Sequence, residues 1–412
     1  MKSKPKVAFL RGYFLPRSET DYMVHVGAEF DLHVFSSRHS RFNLQDSPVE
    51  VKRLPALEDL YDRLPRGLVR YVQGGIGKAA GFDGVFFGLE KALAGFDLVH
   101  TSESLFFSSY QAARLKAKLG FKLVVLQDEV YPFRRQFSPV VRHVRRTVHA
   151  AADLFTARTE RAKDALLLEG VEERRIRVVP HGVDLGMFAP RAPDIGWRAK
   201  AGVGLNERLV LFVGRLTFEK GVITLLQAFC LAQRRQGDVH PMRLLMVGVG
   251  VEANALARLA SQLGVADRVT FLANVPFAEM PSLISACDIF ALPSIASRHV
   301  SEQFGHVLLQ AMACERAIVA SDCGPMTEVV GDAAWLVPQN DAHSLADALR
   351  TLVANDIRRA DLAARGLQRV RTLFGAEHVA RMVGDAYRCA LSVTRRDGVA
   401  SSPPSLVTAR PA

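Results

Sequence analysis

Short apolar runs alternate with longer segments of helical period along most of this 412-residue chain. That alternation predicts parallel α/β sheets, because each buried strand needs a crossover helix to bring the next one alongside. In the first half the predicted strands are Val7 to Leu10, Leu32 to Phe35, Leu98 to Thr101, Leu123 to Leu126, Leu154 to Thr156 and Ile176 to Val179. Helices are expected between them, among others over Leu105 to Leu119 and Glu160 to Glu169. In the second half the strands are Leu209 to Val213, Leu244 to Val247, Val269 to Leu272, Ile289 to Leu292, Ile318 to Ser321 and Trp335 to Val337. Between the halves, Phe188 to Gly204 carries Pro190, Pro193 and Gly202 with little apolar period, and is expected to be a linker. The pattern therefore divides the chain into two doubly wound, Rossmann-like parallel-sheet domains, residues 1–190 and 191–373. A last helical segment covers 374–394, and the Ser- and Pro-rich stretch 395–412 reads as a disordered tail.

Composition narrows the class without naming a partner. With 49% hydrophobic and 23% charged residues the chain is of ordinary globular type. No apolar run approaches the roughly 20 residues that span a bilayer, and Met1 to Lys6 leads straight into a strand, so neither a signal peptide nor a membrane span is expected. The five cysteines stand singly in apolar segments of the second half, without a CxxC pair, which fits a reduced cytoplasmic protein. The excess of 53 basic over 42 acidic residues gives a net charge of +11 and favours an anionic partner. Zinc-finger spacing, RNA-binding aromatic motifs and basic heptads are all missing, so nucleic acid is not expected. Phosphate-bearing small molecules or an anionic membrane face are the better candidates. Basic residues gather at Arg63, Arg66, Arg70 and Lys78, and again at Arg134, Arg135, Arg142, Arg145 and Arg146; solvated helix faces account for such clusters equally well.

Ligands of doubly wound sheets sit at the carboxyl ends of strands, so the chemistry is sought in the loops that follow them. The loop Gly214-Arg215-Leu216-Thr217-Phe218-Glu219-Lys220-Gly221 follows a strand and opens a helix. Glycines permit close backbone approach, a helix N-terminus favours an anion, and Arg215 and Lys220 add fixed positive charge; together they predict a phosphate site. A second loop, Pro293 to Phe304, ends beside a helix expected to begin near Gly305. Glu302 there can accept bonds from sugar hydroxyls while Gly305 and the following amides face a diphosphate. Gln310 lies about 80° round a helix from Glu302, so both are expected to face the cleft. Gly248 to Ala253 formally matches the dinucleotide fingerprint GxGxxG/A. It follows the second strand of its domain, however, and Ala273-Asn274 occupies the place of the required acid, which argues against a dehydrogenase.

At this point the second half resembles the retaining glycosyltransferases of family 4, which have the GT-B fold. The resemblance rests on Pro180-His181-Gly182-Val183-Asp184 with Phe188, the Gly214 to Gly221 loop, Glu302-Gln303-Phe304-Gly305 and Gln310-Ala311-Met312-Ala313. It continues through Ser321-Asp322-Cys323-Gly324 and Glu328-Val329-Val330-Gly331. It implies an acceptor-side first domain, a nucleotide-sugar-binding second domain and a closing helix, Phe374 to Ala390, that crosses back to the first. It also implies that Arg215 and Lys220 bind the donor diphosphate, that Glu302 contacts the transferred hexosyl group, and that transfer proceeds with retention and without an essential metal or cofactor. Gly12, Gly214, Gly248, Val275, Phe304, Gly305, His306, Val307 and Gln310 would complete the donor site; Asp128, Glu129 and Arg134 would stand on the acceptor side. The implied reaction moves a hexosyl group from a UDP- or GDP-sugar to a hydroxyl acceptor, either a sugar, a lipid-linked or a small-molecule one, in glycolipid, cell-envelope or exopolysaccharide synthesis.

Three departures mark this chain. Gln310 replaces the family's second glutamate, Glu315 stands where glycine is common, and the opening loop Arg11 to Asp21 keeps only Gly12 of the usual glycine pair, with Gln127-Asp128-Glu129 in place of a histidine. Gln310 keeps open a catalytically weak relative that binds a nucleotide sugar and serves as an interaction protein. An epimerase or phosphorylase on the same architecture is a further alternative. Leu57 to Phe87 mixes apolar residues with four bases and could lie on an anionic bilayer at the inner face of a membrane, although Gly74, Gly75 and Gly77 interrupt it; a covering loop of the first domain fits the segment equally well.

Overall fold

A computed structural model describes residues 3–12, 15–40, 47–59, 84–234, 241–296 and 302–393. The first half runs β1 (Lys6–Leu10), α1 (Arg17–Val26), β2 (Asp31–Ser37), β3 (Val51–Leu54), α2 (Leu89–Leu93), β4 (Leu98–Ser102), α3 (Phe107–Leu119), β5 (Lys122–Gln127), α4 (Pro139–Ala151), β6 (Leu154–Ala157), α5 (Glu160–Leu168) and β7 (Ile176–Val178). Its sheet has seven parallel strands in the order β3-β2-β1-β4-β5-β6-β7. Successive strand residues point to opposite faces, so Val7 and Phe9 pack into one apolar layer while Ala8 and Leu10 pack into the other.

The second half runs α6 (Ile195–Lys200), β8 (Arg208–Val213), α7 (Val222–Arg234), β9 (Met242–Val247), α8 (Ala253–Gln262), β10 (Val269–Leu272), α9 (Met280–Ala286) and β11 (Ile289–Leu292). It continues through α10 (His306–Ala313), β12 (Ala317–Ser321), α11 (Met326–Val330), β13 (Trp335–Val337), α12 (Ala342–Ala354) and α13 (Asp356–Leu373). Its six parallel strands are ordered β10-β9-β8-β11-β12-β13 around one large apolar core. In both sheets the winding direction reverses beside the first strand of the half, between β1 and β4 and between β8 and β11, and such switch points open a crevice at the strand ends.

The last helix, α14 (Ala376–Ser392), leaves the second half and buries Ala376, Val379, Val383, Tyr387 and Ala390 against α1 and the first sheet. Tyr387 Oη meets His100 Nδ1 at 2.9 Å inside that layer. The halves also meet where Glu328 on α11 accepts the Glu160 and Arg161 amides, at 2.8 and 3.3 Å. A side chain of the second domain thereby caps the N-terminus of α5 in the first.

Two sequence expectations change, and a third falls outside the described residues. The segment expected to be a linker holds α6, capped by Asp194 onto the Trp197 amide at 3.0 Å, and its Phe188 and Trp197 are buried in the second core. A strand outside the expectations, β3, forms at the edge of the first sheet; it is four residues long with Lys52 and Arg53 exposed, so it lacks an apolar signature. Most of Leu57 to Phe87, with its bases and glycines, and the tail from 395 onward lie outside the described residues.

Glu315 shows what its departure from glycine means physically. At the end of α10 the Arg316 amide donates to Ala311 O and the Glu315 amide to Met312 O, both at 3.0 Å. Glu315 thus sits in a left-handed C-terminal turn with φ of 56°, a position that favours glycine. A side chain there is strained by roughly 1–2 kcal/mol, while glycine adds back some unfolded-chain entropy. Glu315→Gly is therefore expected to stabilise the fold by about 1 kcal/mol, read as a higher denaturation midpoint; an unchanged or lower midpoint refutes the strain.

Candidate active site

The switch point of the second sheet gathers the charged residues singled out in its loops. β8 and β11 are paired neighbours, with Val210 opposite Ile289, so the loops that leave their carboxyl ends lie side by side. They are stitched together by the Ile295 amide donating to Glu219 O at 2.8 Å. Gly221 has φ of 66°, and a Cβ there would sit 1.8 Å from Pro293 O. Only glycine lets the two loops approach so closely. Across this contact Lys220 Nζ donates to the Glu302 carboxylate, which also accepts from Ser294 Oγ at 3.2 Å. Arg215 is about half exposed (49%) and leans on Glu219 at 3.3 Å. An ammonium and a carboxylate that hold each other here are both within reach of one ligand carrying phosphate and hydroxyls.

The formal dinucleotide fingerprint has a different use. A Cβ on Gly248 would lie 1.8 Å from Gly214 O, and the Leu216 amide donates to Val249 O at 2.9 Å. The glycines after β9 thus let that loop brace the backbone of the Arg215 loop.

Other donor-side expectations meet the structure unevenly. Gly305 adopts φ of 74° as the residue before α10, which starts at His306. Phe304 is buried, with its ring edge-on to His181 at 4.8 Å and to Phe374 at 6.1 Å. His306 Nε2 donates to Gly182 O at 3.1 Å, and burial, with Arg158 nearby, lowers its pKa to about 4, so the ring is a neutral strut between the two halves. Val275 and Val307 pack on the second core. Glu302 lies ahead of α10, so the helical angle between Glu302 and Gln310 does not apply, and Gln310 is only 5% exposed. Gly12 O accepts from Ser36 Oγ at 2.9 Å beside the first switch point.

On the first sheet a charged network that the local sequence does not assemble occupies the carboxyl ends of adjacent strands. Arg11 follows β1, Glu103 follows β4, Asp128 follows β5, Arg158 follows β6 and His181 stands beyond β7. Arg11 Nε donates to Glu19 at 2.8 Å and its Nη2 reaches Asp128 at 3.1 Å. Arg158, almost wholly buried, donates to Pro180 O at 3.1 Å and Tyr22 Oη at 3.3 Å and stands 3.5 Å from both Glu19 and Asp128. Asp128, 13% exposed at its side chain, thus faces two guanidiniums and the His181 ring at 3.7 Å. Burial, with Arg158 nearby, holds His181 well below its usual pKa. Glu129 pairs with Arg134. The signal available in the sequence was positional: polar residues standing immediately after apolar strands.

Two facing parallel α/β domains with their switch-point loops turned to a common cleft define the GT-B fold. The family model described as glycosyl transferases group 1 matches residues 195–369, and the one described as Glycosyltransferase Family 4 matches residues 27–186; the chain belongs to this glycosyltransferase family. A D-inositol 3-phosphate glycosyltransferase of Nocardioides sp. is 36% identical over 260 residues, covering 60% of this chain and 55% of the relative. An alpha-maltose-1-phosphate synthase of Mycolicibacterium smegmatis is 33% identical over 264 residues, covering 60% of this chain and 65% of the relative. The chain thus spans between half and two thirds of the length of these curated relatives. Among solved structures, Anabaena HepE in complex with UDP superposes with a TM-score of 0.74 at 21% identity, covering 93% of this chain and 99% of that one. Sucrose-phosphate synthase from Thermosynechococcus elongatus does so with a TM-score of 0.69 at 23% identity, covering 93% and 98%. At these identities the likeness is one of fold.

The network carries a pH signature through Glu103. Burial, then the neighbouring Asp128 and Glu129, push its carboxyl up to about 8, against 4.5 in an unfolded chain. Between these values the folded chain holds the extra proton, so stability falls as pH rises from about 4.5 and the loss is complete above about 8. Glu103→Gln keeps an oxygen for the Asp128 amide but cannot ionise. The variant's thermal midpoint should gain on wild type as pH is raised through this window; parallel profiles would rule the assignment out.

Proposed function

We propose that this chain is a retaining glycosyltransferase that moves a hexosyl group from a nucleoside diphosphate sugar to a hydroxyl acceptor. The observation that carries the reading is the contact of Lys220 with Glu302 across the β8 and β11 loops, with Arg215 on the same loop. A diphosphate drawn to Lys220 and Arg215 would replace Glu302 as the anionic partner of Lys220 and Glu219 as that of Arg215, and leave the Glu302 carboxylate to accept sugar hydroxyl bonds. The two bases then stabilise the charge that grows on the leaving diphosphate as the C1–O bond breaks. The departing phosphate oxygen takes the acceptor hydroxyl's proton on the same face of the sugar, which gives retention without a separate strong base. UDP sugars are the first donors to test, since HepE is known in complex with UDP and with UDP-glucose. The acceptor enters from the first-sheet side, where Asp128, Glu129 and Arg134 stand, and a lipid-linked, sugar or small-molecule hydroxyl suits that position.

Arg215→Ala and Lys220→Ala should each lower the release of nucleoside diphosphate during transfer by about 100-fold or more. Near-wild-type turnover by either variant would overturn these roles. A thermal-shift screen over nucleotide sugars should find at least one that raises the midpoint of the wild type and much less that of Arg215→Ala. Stabilisation without turnover across acceptors would favour a binding protein instead, a reading to which the neutral Gln310 lends itself.

A further inference from the structure

The loop that leaves β11 is fixed at three consecutive residues by three different neighbours. Ser294 O accepts from Ser321 Oγ at the end of β12. The Ile295 amide donates to Glu219 O at 2.8 Å on the loop after β8, and the Ala296 amide donates to Gln339 Oε1 at 2.8 Å on the loop after β13. Gln339 is itself anchored, its Nε2 donating to Asp322 O at 2.6 Å beyond β12. The course of the loop is thus set through its main chain by the three strand ends around it, and the Ser294 hydroxyl is not needed for that task.

That hydroxyl has a different partner. Ser294 is wholly buried, and its Oγ donates at 3.2 Å to Oε2 of Glu302, the same oxygen that accepts from Lys220 Nζ. The Glu302 side chain is largely covered, so a donor aimed at its charge counts for more than it would in water. The two donors differ in freedom. Lys220 carries its ammonium on a flexible four-carbon stem and can follow an arriving anion. Ser294 has one side-chain torsion on a backbone already tied down, so its hydroxyl stays where the fold puts it.

We propose that Ser294 is the positioning residue for Glu302, holding the carboxylate turned toward the transferred sugar while Lys220 moves to the diphosphate. The role rests on the donor-site reading of Lys220 and Glu302. A hydrogen bond from a hydroxyl to a carboxylate is charge-assisted and directional, so it fixes the rotation of the carboxylate plane as well as its place. Without it the carboxylate turns about its own side-chain bonds, and the sugar hydroxyls it accepts from are held in the wrong register to the bond that breaks. Arg215 and Lys220 still meet the diphosphate in that case. The loss therefore falls on turnover and not on nucleotide affinity.

The test is a double-mutant cycle on the full chain. Release of nucleoside diphosphate from UDP-glucose or GDP-mannose, in water and with sugar acceptors, is measured for wild type, Ser294→Ala, Glu302→Ala and the double variant, with the thermal shift given by UDP or GDP alongside. Ser294→Ala should lower kcat by about 10- to 100-fold and leave the shift with the nucleoside diphosphate unchanged. Added to Glu302→Ala it should cost nothing further, because the hydroxyl acts through the carboxylate. Losses that multiply, a wild-type kcat in Ser294→Ala, or a shift lost together with kcat each overturn this role and leave the donor assignment standing. Glu302→Ala with a wild-type kcat, or a wild type that turns over neither sugar, removes the donor reading and the role of Ser294 with it. Should Ser294→Ala be unstable, Ser294→Cys puts a weak donor in nearly the same volume and is read in the same way.

Discussion

Two backbone hydrogen bonds fix how the halves of this molecule stand to each other. Val183 N donates to Phe374 O at 2.8 Å and Ala376 N donates to Val183 O at 2.9 Å, joining the two places where the chain passes between domains. Everything at the cleft depends on that clasp. It lets α14 leave the second half and complete the apolar layer of the first, and it seats Phe304 and His306, at the start of α10, against His181 and Gly182. Glu328 adds a second tie at the N-terminus of α5. The carboxyl ends of both sheets are thereby turned toward one space.

Within that space the two sides solve their electrostatics differently. On the second sheet Arg215 is half exposed and leans on Glu219, and Lys220 and Glu302, largely covered, hold each other across two loops. On the first sheet Arg11, Arg158, Glu19 and Asp128 are mostly buried and shared among several partners. Buried charges of this kind are costly to separate, so they shape a wall more than they bind and release. Glu103 adds a carboxyl that stays protonated at neutral pH, and His181 a ring that stays neutral, which limits the charge the wall must carry.

The placement of each group follows from strand order. Parallel sheets that reverse direction beside their first strand leave a gap between two loops, and residues of the loops beyond those strands fill it. Arg11 and Glu103 do so in the first sheet, and the Arg215 and Glu302 loops do so in the second. Gly221 and Gly248 belong to the same logic, since each lets one loop lie directly against another.

Twelve strands, the two-sheet architecture and the loops bearing Arg215, Lys220 and Glu302 were legible in the sequence, because apolar period and strand-to-helix transitions are local properties of the chain. Where local signals are weak, reading failed: β3 is short and charged, and α6 sits among prolines yet is fastened by Asp194 and by the burial of Trp197. The contact of Lys220 with Glu302, the clustering of Arg11, Glu19, Asp128 and Arg158, and the contact of His306 with Gly182 were decided only by tertiary structure. These residues are far apart along the chain, and nothing in its local chemistry says which strand ends will be neighbours. Sheet order and the crossing helix supply that information, by placing remote loops at one edge and facing the two edges toward each other.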